Sequence, residues 1–137
     1  MIGWGGDVER AALDNTDFRR VLFTGEHSQL VVMCLRAGEE IGLEMHDDVD
    51  QFFRVERGTA TVTMAARADD VERTEFLADG GAVIVPAGTW HNVVNSGASS
   101  LALYTIYSPP EHRDGVVRKT REEAMAQEEH FDGKTTE

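Results

Sequence analysis

The sequence predicts a single all-β domain built as a barrel or sandwich. Three observations carry that reading. Short runs of β-branched, aromatic and aliphatic residues recur along the chain, each closed by a cluster of turn-forming residues. Residues 80–95, GGAVIVPAGTWHNVVN, form a tightly punctuated strand–turn–strand around one histidine, His91. A second segment of the same kind, GEEIGLEMHDDVDQFFRVERG, runs from Gly38 to Gly58.

The elements follow in order. Residues 1–15 are mixed in composition and are expected to cover the barrel or a partner. Phe18–Thr24 and Gln29–Arg36 read as strands joined by the turn Gly25-Glu26-His27-Ser28. The strand Gln51–Glu56 sets Gln51, Phe53 and Val55 on one face and Phe52, Arg54 and Glu56 on the other. Ala60–Ala65 alternates Thr61 and Thr63 against Ala60, Val62 and Met64. The polar loop 67–70 leads to a strand at Val71–Leu77, and Ala78-Asp79-Gly80-Gly81 turns into Ala82–Val85, read as a short buried strand. Pro86-Ala87-Gly88 breaks it, because proline fixes φ and lacks a donor while glycine reaches positive φ. Thr89–Asn95 then places His91, Val93 and Asn95 on one face and Trp90 on the other. Ser100–Tyr107 is the last long strand, ended by Pro109-Pro110. One helix is expected at Thr120–Glu129, where Thr120 and Glu123 have capping-box spacing. Residues 131–137 are expected to fray. All of this fits one domain of 137 residues, with a barrel core at about 18–108 and a helix and tail at 119–137.

The two punctuated segments carry the chemistry. Glu44 and His46 are two apart, so on a strand they share a face. Together the segments resemble the cupin superfamily. Its second motif, G-x5-P-x-G-x2-H-x3-N, is matched at every position by Gly80, Pro86, Gly88, His91 and Asn95. Its first motif, G-x5-H-x-H-x(3,4)-E-x6-G, is matched in spacing through Gly38, Glu44, His46, Gln51 and Gly58. Two residue types depart from it: Glu44 stands where a histidine is usual, and Gln51 where a glutamate is usual. The resemblance implies a small jelly-roll barrel (a double-stranded β-helix) with a metal near its centre. More narrowly, DVDQFFRVERG, VPAGTWHNVVN and LYTIYSPPEH look like a group of small single-domain bacterial cupins.

On this resemblance the metal set is Glu44, His46, Gln51 and His91. Two imidazoles and a carboxylate are the donors of many open divalent-metal sites. The two departures compensate in charge: Glu44 adds a negative charge and Gln51 removes one. The set suits a divalent ion, whether zinc, iron, manganese, nickel or copper. The competing reading is a site without metal, whose two histidines, glutamate and glutamine hydrogen-bond one another. Phe53, Tyr104 and His112 are candidates for the pocket wall. Of Tyr104 and Tyr107 only one strand face looks inward. Two readings stand for His112, a cap on the barrel mouth or an exposed loop side chain.

Composition narrows the partners. The net charge is −12, from 25 acidic and 13 basic residues, which argues against nucleic acid and anionic membranes. Acidic residues crowd the stretch Glu39–Asp50, a field that favours a cation and disfavours a phosphorylated substrate. No apolar run approaches the ~18–20 residues of a membrane span, and MIGWGGDVER lacks the pattern of a signal peptide. The single cysteine, Cys34, allows no internal disulfide and is expected to be a buried, inert thiol. A cytoplasmic protein is expected. Open sheet edges suggest a homodimer, with the residues before Phe18 and Trp90 as candidate contacts.

Three functions are compatible with this reading: a metal-dependent oxidoreductase, dioxygenase-like, acting on a small organic molecule; a sugar-phosphate isomerase; and a small-molecule or metal-binding module without turnover. The isomerase needs cationic anchors for its phosphate, and the acidic loop opposes it. The first is favoured.

Overall fold

A computed structural model describes residues 2–137. Its elements in chain order are α1 (Val8–Asp14), β1 (Arg19–Thr24), β2 (Gln29–Leu35), β3 (Asp50–Arg57), β4 (Ala60–Ala65), β5 (Arg73–Leu77), β6 (Ala82–Val85), β7 (Trp90–Asn95), β8 (Leu101–Ser108), β9 (Val117–Arg118) and α2 (Arg121–Ala126). The strands form two antiparallel sheets, one ordered β6-β3-β8-β2-β1-β9 and the other β5-β4-β7. This is the jelly-roll barrel that the resemblance implies. Among the described residues no helix is long and apolar enough to cross a membrane.

Alternation builds the core. Gln51, Phe53 and Val55 face inward from β3, and His91, Val93 and Asn95 from β7, as the sequence pattern requires. Phe53, Val31, Met33, Val62, Val93, Leu101 and Leu103 are among the residues buried between the sheets. Each such side chain contributes roughly 1.5–3 kcal/mol relative to exposure. Gly58 closes β3 at φ +96°, where an added Cβ would lie 3.0 Å from the Ser100 carbonyl oxygen. Only glycine fits that turn without strain.

Register lines up one polar row in the larger sheet. Val85 pairs Gln51, Gln51 pairs Tyr107, Tyr107 pairs Gln29, and Gln29 pairs Thr24. Directly opposed residues share a face, so Gln51, Tyr107 and Gln29 stand side by side inside the barrel. Gln29 ties this row to the chain beyond Pro110. Its Nε2 donates to the Thr24 hydroxyl (2.9 Å) and to the His112 carbonyl (2.7 Å). Its Oε1 accepts from the backbone N–H groups of Glu111 (3.2 Å) and His112 (3.0 Å).

Several expectations need correction. The expected buried strand β6 is buried only at Val83 and Val85, because as a sheet edge it leaves Ala82 and Ile84 exposed. A second helix, α1, precedes the barrel. Asp7 caps it by accepting from the Arg10 N–H, and it packs on β8, β2 and β3, burying Ala12. The C-terminal helix does begin at the Thr120 cap but stops at Ala126, short of Glu129. Beyond it the chain extends, because Glu129 is drawn down to Arg118 and His112. The tail does not fray: Phe131 donates to the Glu111 carbonyl (2.8 Å), and Thr136 and Thr24 bond each other through backbone and hydroxyl. Cys34 is half-buried, and burial raises its thiol pKa.

Gln29→Leu keeps the side-chain volume and strands the groups it serves. Each buried polar group left unpaired costs roughly 1–3 kcal/mol. Urea unfolding of this variant is expected to show a loss of about 3 kcal/mol or more, against little change for Gln127→Leu on the exposed end of α2.

Candidate metal centre

The site begins with a backbone pairing. Residues 38–46 carry no long strand of their own, yet they run antiparallel along β7. Asn95 N–H donates to the Glu39 carbonyl (2.8 Å), and Ile41 N–H to the Val93 carbonyl (2.9 Å). Glu44 and His91 exchange both bonds, N–H to O=C, at 2.9 Å. In such a pair the two side chains project to the same face. Farther on, Gly88 sits at φ +80° and its N–H reaches the His46 carbonyl at 2.8 Å. Asp50 Oδ1 accepts from the Ala87 N–H at 2.8 Å and closes the Pro86–Gly88 turn.

This framework gathers three of the four expected ligands. One donor atom each from Glu44, His46 and His91 falls within 4.8 Å of the other two. Glu44 Oε1 lies 3.5 Å from His46 Nε2 and 3.5 Å from His91 Nε2. Both Nε2 atoms are buried without a hydrogen-bond partner. A separation of 3.5 Å is long for a hydrogen bond. It suits donors that share one ion at roughly 2.0–2.2 Å each.

The other nitrogen of His91 is already committed, and that of His46 faces a carboxylate. His91 Nδ1 is 3.0 Å from the Thr89 carbonyl oxygen, so it carries the proton and donates there. His46 Nδ1 faces Glu111 Oε1 at 3.5 Å. An acceptor behind Nδ1 fixes the tautomer that leaves the Nε2 lone pair free for a metal. The electrostatics keep Glu44 ionised and favour a proton on His46 that a bound metal would displace. Burial alone would raise the Glu44 pKa, but the two imidazoles beside it overcome this and hold it at about 2. Burial also opposes a charged His46, yet the Glu44 carboxylate and then Glu111 hold its pKa above the ordinary value.

Gln51, the fourth expected ligand, is buried in the polar row. Its Nε2 donates to the Thr105 hydroxyl at 3.0 Å, and its Oε1 is buried with no partner. Phe53 lies inward with its ring 6.2 Å from that of His91. Tyr104 does not line the site. It points to the outer face against Phe52, and Tyr107 takes the inward position, 6.0 Å from the His46 ring. The phase of this strand decides between them, and β8 is buried on both faces over Leu101–Leu103, which masks the phase in the sequence.

His112 takes the first of its two readings. It is buried at the barrel mouth, where its Nε2 accepts from the Tyr107 hydroxyl (3.2 Å) and its Nδ1 donates to Glu129 Oε1 (3.0 Å). Arg118 holds the other oxygen of Glu129 at 3.1 Å. Burial pushes the His112 pKa below its ordinary value and the Tyr107 pKa above its own, so both stay neutral in this chain of bonds. Glu111, Glu129 and Arg19 escaped the sequence reading. Of these only Arg19 had a signal, its alternation with Val21 on the first strand. A cleft of about 260 Å³ opens beside Glu44 and His46, its outer wall formed by α2 and the residues after it.

A family model described as "Cupin domain" matches residues 31–107, more than half of the chain. The chain belongs to the cupin family. Among its relatives, this cupin is 46% identical over 123 residues to the uncharacterized protein YrkC of Bacillus subtilis (strain 168), covering 90% of this chain and 66% of that protein. It is 41% identical over 112 residues to the uncharacterized protein L612 of Acanthamoeba polyphaga mimivirus, covering 81% of this chain and 68% of that one. The chain thus spans about two thirds of the length of both. The crystal structure of BH2720 from Bacillus halodurans matches with a TM-score of 0.89 and 45% identity, over 90% of this cupin and 94% of that chain.

Glu129 gives a pH test of the mouth. Burial opposes its ionised form, but the His112 bond and the charges of Arg19 and Arg118 hold its carboxyl below the usual value. A carboxyl lowered on folding contributes fully above its unfolded value, and the contribution is lost as pH falls through the folded one. Glu129→Gln is therefore expected to lose roughly 2–4 kcal/mol at neutral pH. Urea titrations should show that gap narrowing as pH drops below about 4.5.

Proposed function

We propose that this cupin holds a divalent metal ion on Glu44, His46 and His91, with the Gln51 amide oxygen as a weak fourth donor, and uses it in dioxygenase-like oxidation of a small organic molecule. The observation that carries the metal assignment is the pair of buried, unpartnered Nε2 atoms converging on one Glu44 oxygen. Mutual hydrogen bonding would have paired those atoms, and it leaves them orphaned. An ion held there supplies Lewis acidity and open coordination positions.

The protein's own residues do the rest. The Thr89 carbonyl and Glu111 orient the two imidazoles from behind. Phe53 walls the inner side of His91 and restricts water there. Tyr107 stays a neutral phenol, its proton held by His112. Against the isomerase reading, the cleft sets one guanidinium, Arg19, among the carboxylates of Glu44, Glu111 and Glu129, a poor seat for a phosphate dianion. The oxidative class itself rests on analogy within the family.

Two experiments test this in sequence. Divalent metal at about 100 times its Kd should stabilise the wild type by about 2.7 kcal/mol, seen as a rise in melting temperature. His91→Ala and Glu44→Ala should abolish that rise. If metal analysis of gently purified protein finds no divalent ion and no added ion shifts melting, the assignment fails. The second experiment loads the protein with iron(II) anaerobically and follows oxygen uptake with a panel of phenols, diketones and thiols. At least one compound should be consumed together with oxygen. If no metal form consumes any, the chain is a binding module.

A further inference from the structure

The first strand carries a charge that the metal assignment does not use. Arg19 opens β1 and faces inward with Val21, and it is only 7% exposed. Among the described residues its guanidinium forms no hydrogen bond and has no carboxylate within 4.0 Å, and its Nε is buried without a partner. Across the sheet its register partner is Arg118, a like charge. Arg118 is neutralised by Glu129 at 3.1 Å. Arg19 has no such neighbour.

What Arg19 does touch leaves its donors free. The guanidinium carbon sits 5.4 Å from the centroid of the Phe18 ring, a contact that uses the flat face and not the N–H edge. The side chain forms part of the cleft wall, together with Glu44 and His46. Its charge is felt at His46, Tyr107, His112 and Glu129, which places it close to both the metal ligands and the bonded chain at the mouth.

We propose that Arg19 is an anion anchor, and that the natural ligand is a small organic acid with one carboxylate, held by the guanidinium at one end and by the ion on Glu44, His46 and His91 at the other. This inference rests on the metal reading above. The guanidinium fork matches a carboxylate with two parallel N–H bonds. Charge selects a monoanion. A divalent ion and Arg19 together carry three positive charges against the carboxylates of Glu44, Glu111 and Glu128; Glu128 is exposed and screened by solvent, which leaves an excess of one, and Glu129 is already paired. A neutral ligand would leave Arg19 buried and unpaired, and a dianion would overfill the site. The cleft, about 260 Å³, suits a small molecule.

The test uses an isosteric pair of probes, lactate and lactamide, titrated by calorimetry into full-length zinc-loaded protein. Wild type should bind lactate at least about tenfold more tightly than lactamide. Arg19→Met, which keeps the stem and removes the charge, should lose that preference, and Arg19→Lys should keep part of it. Zinc affinity, titrated separately, should change less than about threefold in either variant. Arg19→Met should also melt close to wild type, since relief from a buried charge with no carboxylate within 4.0 Å offsets the support that charge gives ionised Glu129. Undiminished preference in Arg19→Met overturns the anchor. So does a protein that takes up zinc but prefers neither probe, and that result leaves the metal reading standing. A protein that takes up neither zinc nor any other added divalent ion overturns the metal reading. The anchor is then decided on the metal-free protein by the same comparison: a preference lost in Arg19→Met supports it, and no preference overturns it.

Discussion

Glu44 and His91 exchange two backbone hydrogen bonds, and the arrangement of the site depends on that exchange. It joins a segment with little strand structure of its own to the ordered strand β7. Side chains alternate along a strand, so a slip of one residue would turn Glu44 away from His91. The register is pinned on both sides: Asn95 and Ile41 bond the segment before Glu44, and Gly88 bonds the His46 carbonyl after it. A carboxylate and two imidazoles can then meet without any of them being placed by a flexible loop. The carboxylate is kept ionised by the same two rings, which is the state a metal ligand needs.

The larger sheet contributes something different. Its polar row, Thr24, Gln29, Tyr107 and Gln51, lies inside an otherwise apolar barrel. Most of that row is satisfied internally, with Gln29 using both ends of its amide. Satisfied polar groups rigidify an interior. They also leave the unsatisfied ones conspicuous: His46 Nε2, His91 Nε2, Gln51 Oε1, Arg19 Nε and Arg118 Nε, with Glu56 Oε1 beside Arg54. The interior is thus divided into a part closed to further bonding and a part open to it.

The sequence showed the half of the site that is local. Glu44, His46 and His91 lie in segments whose glycines and proline set the turns, so the match to the two family motifs located them. The barrel was legible for the same reason, since strands of period two and short turns are written in neighbouring residues. The rest depends on contacts between distant segments. Tyr107 could not be told from Tyr104 because α1 covers the outer face of the sheet and Ala102 is buried there as deeply as Leu103. Helix α1 itself is seven residues long and depends on packing, which propensity does not report. The tail looked loose because its anchors, the backbone of Phe131 and the backbone and hydroxyl of Thr136, bond distant segments that composition does not reveal.

The C-terminal segment that walls the cleft has a kinetic consequence. Arg19 and Arg118 lie in paired strands about a hundred residues apart in the chain, and Glu129 bonds His112 beside that pairing. Contacts so far apart in sequence form late, because loop closure costs entropy before they return any stability. The binding cleft is therefore a late product of folding. A chain that has formed the two motifs but has not yet docked β9 and α2 holds Glu44, His46 and His91 together with no wall around them.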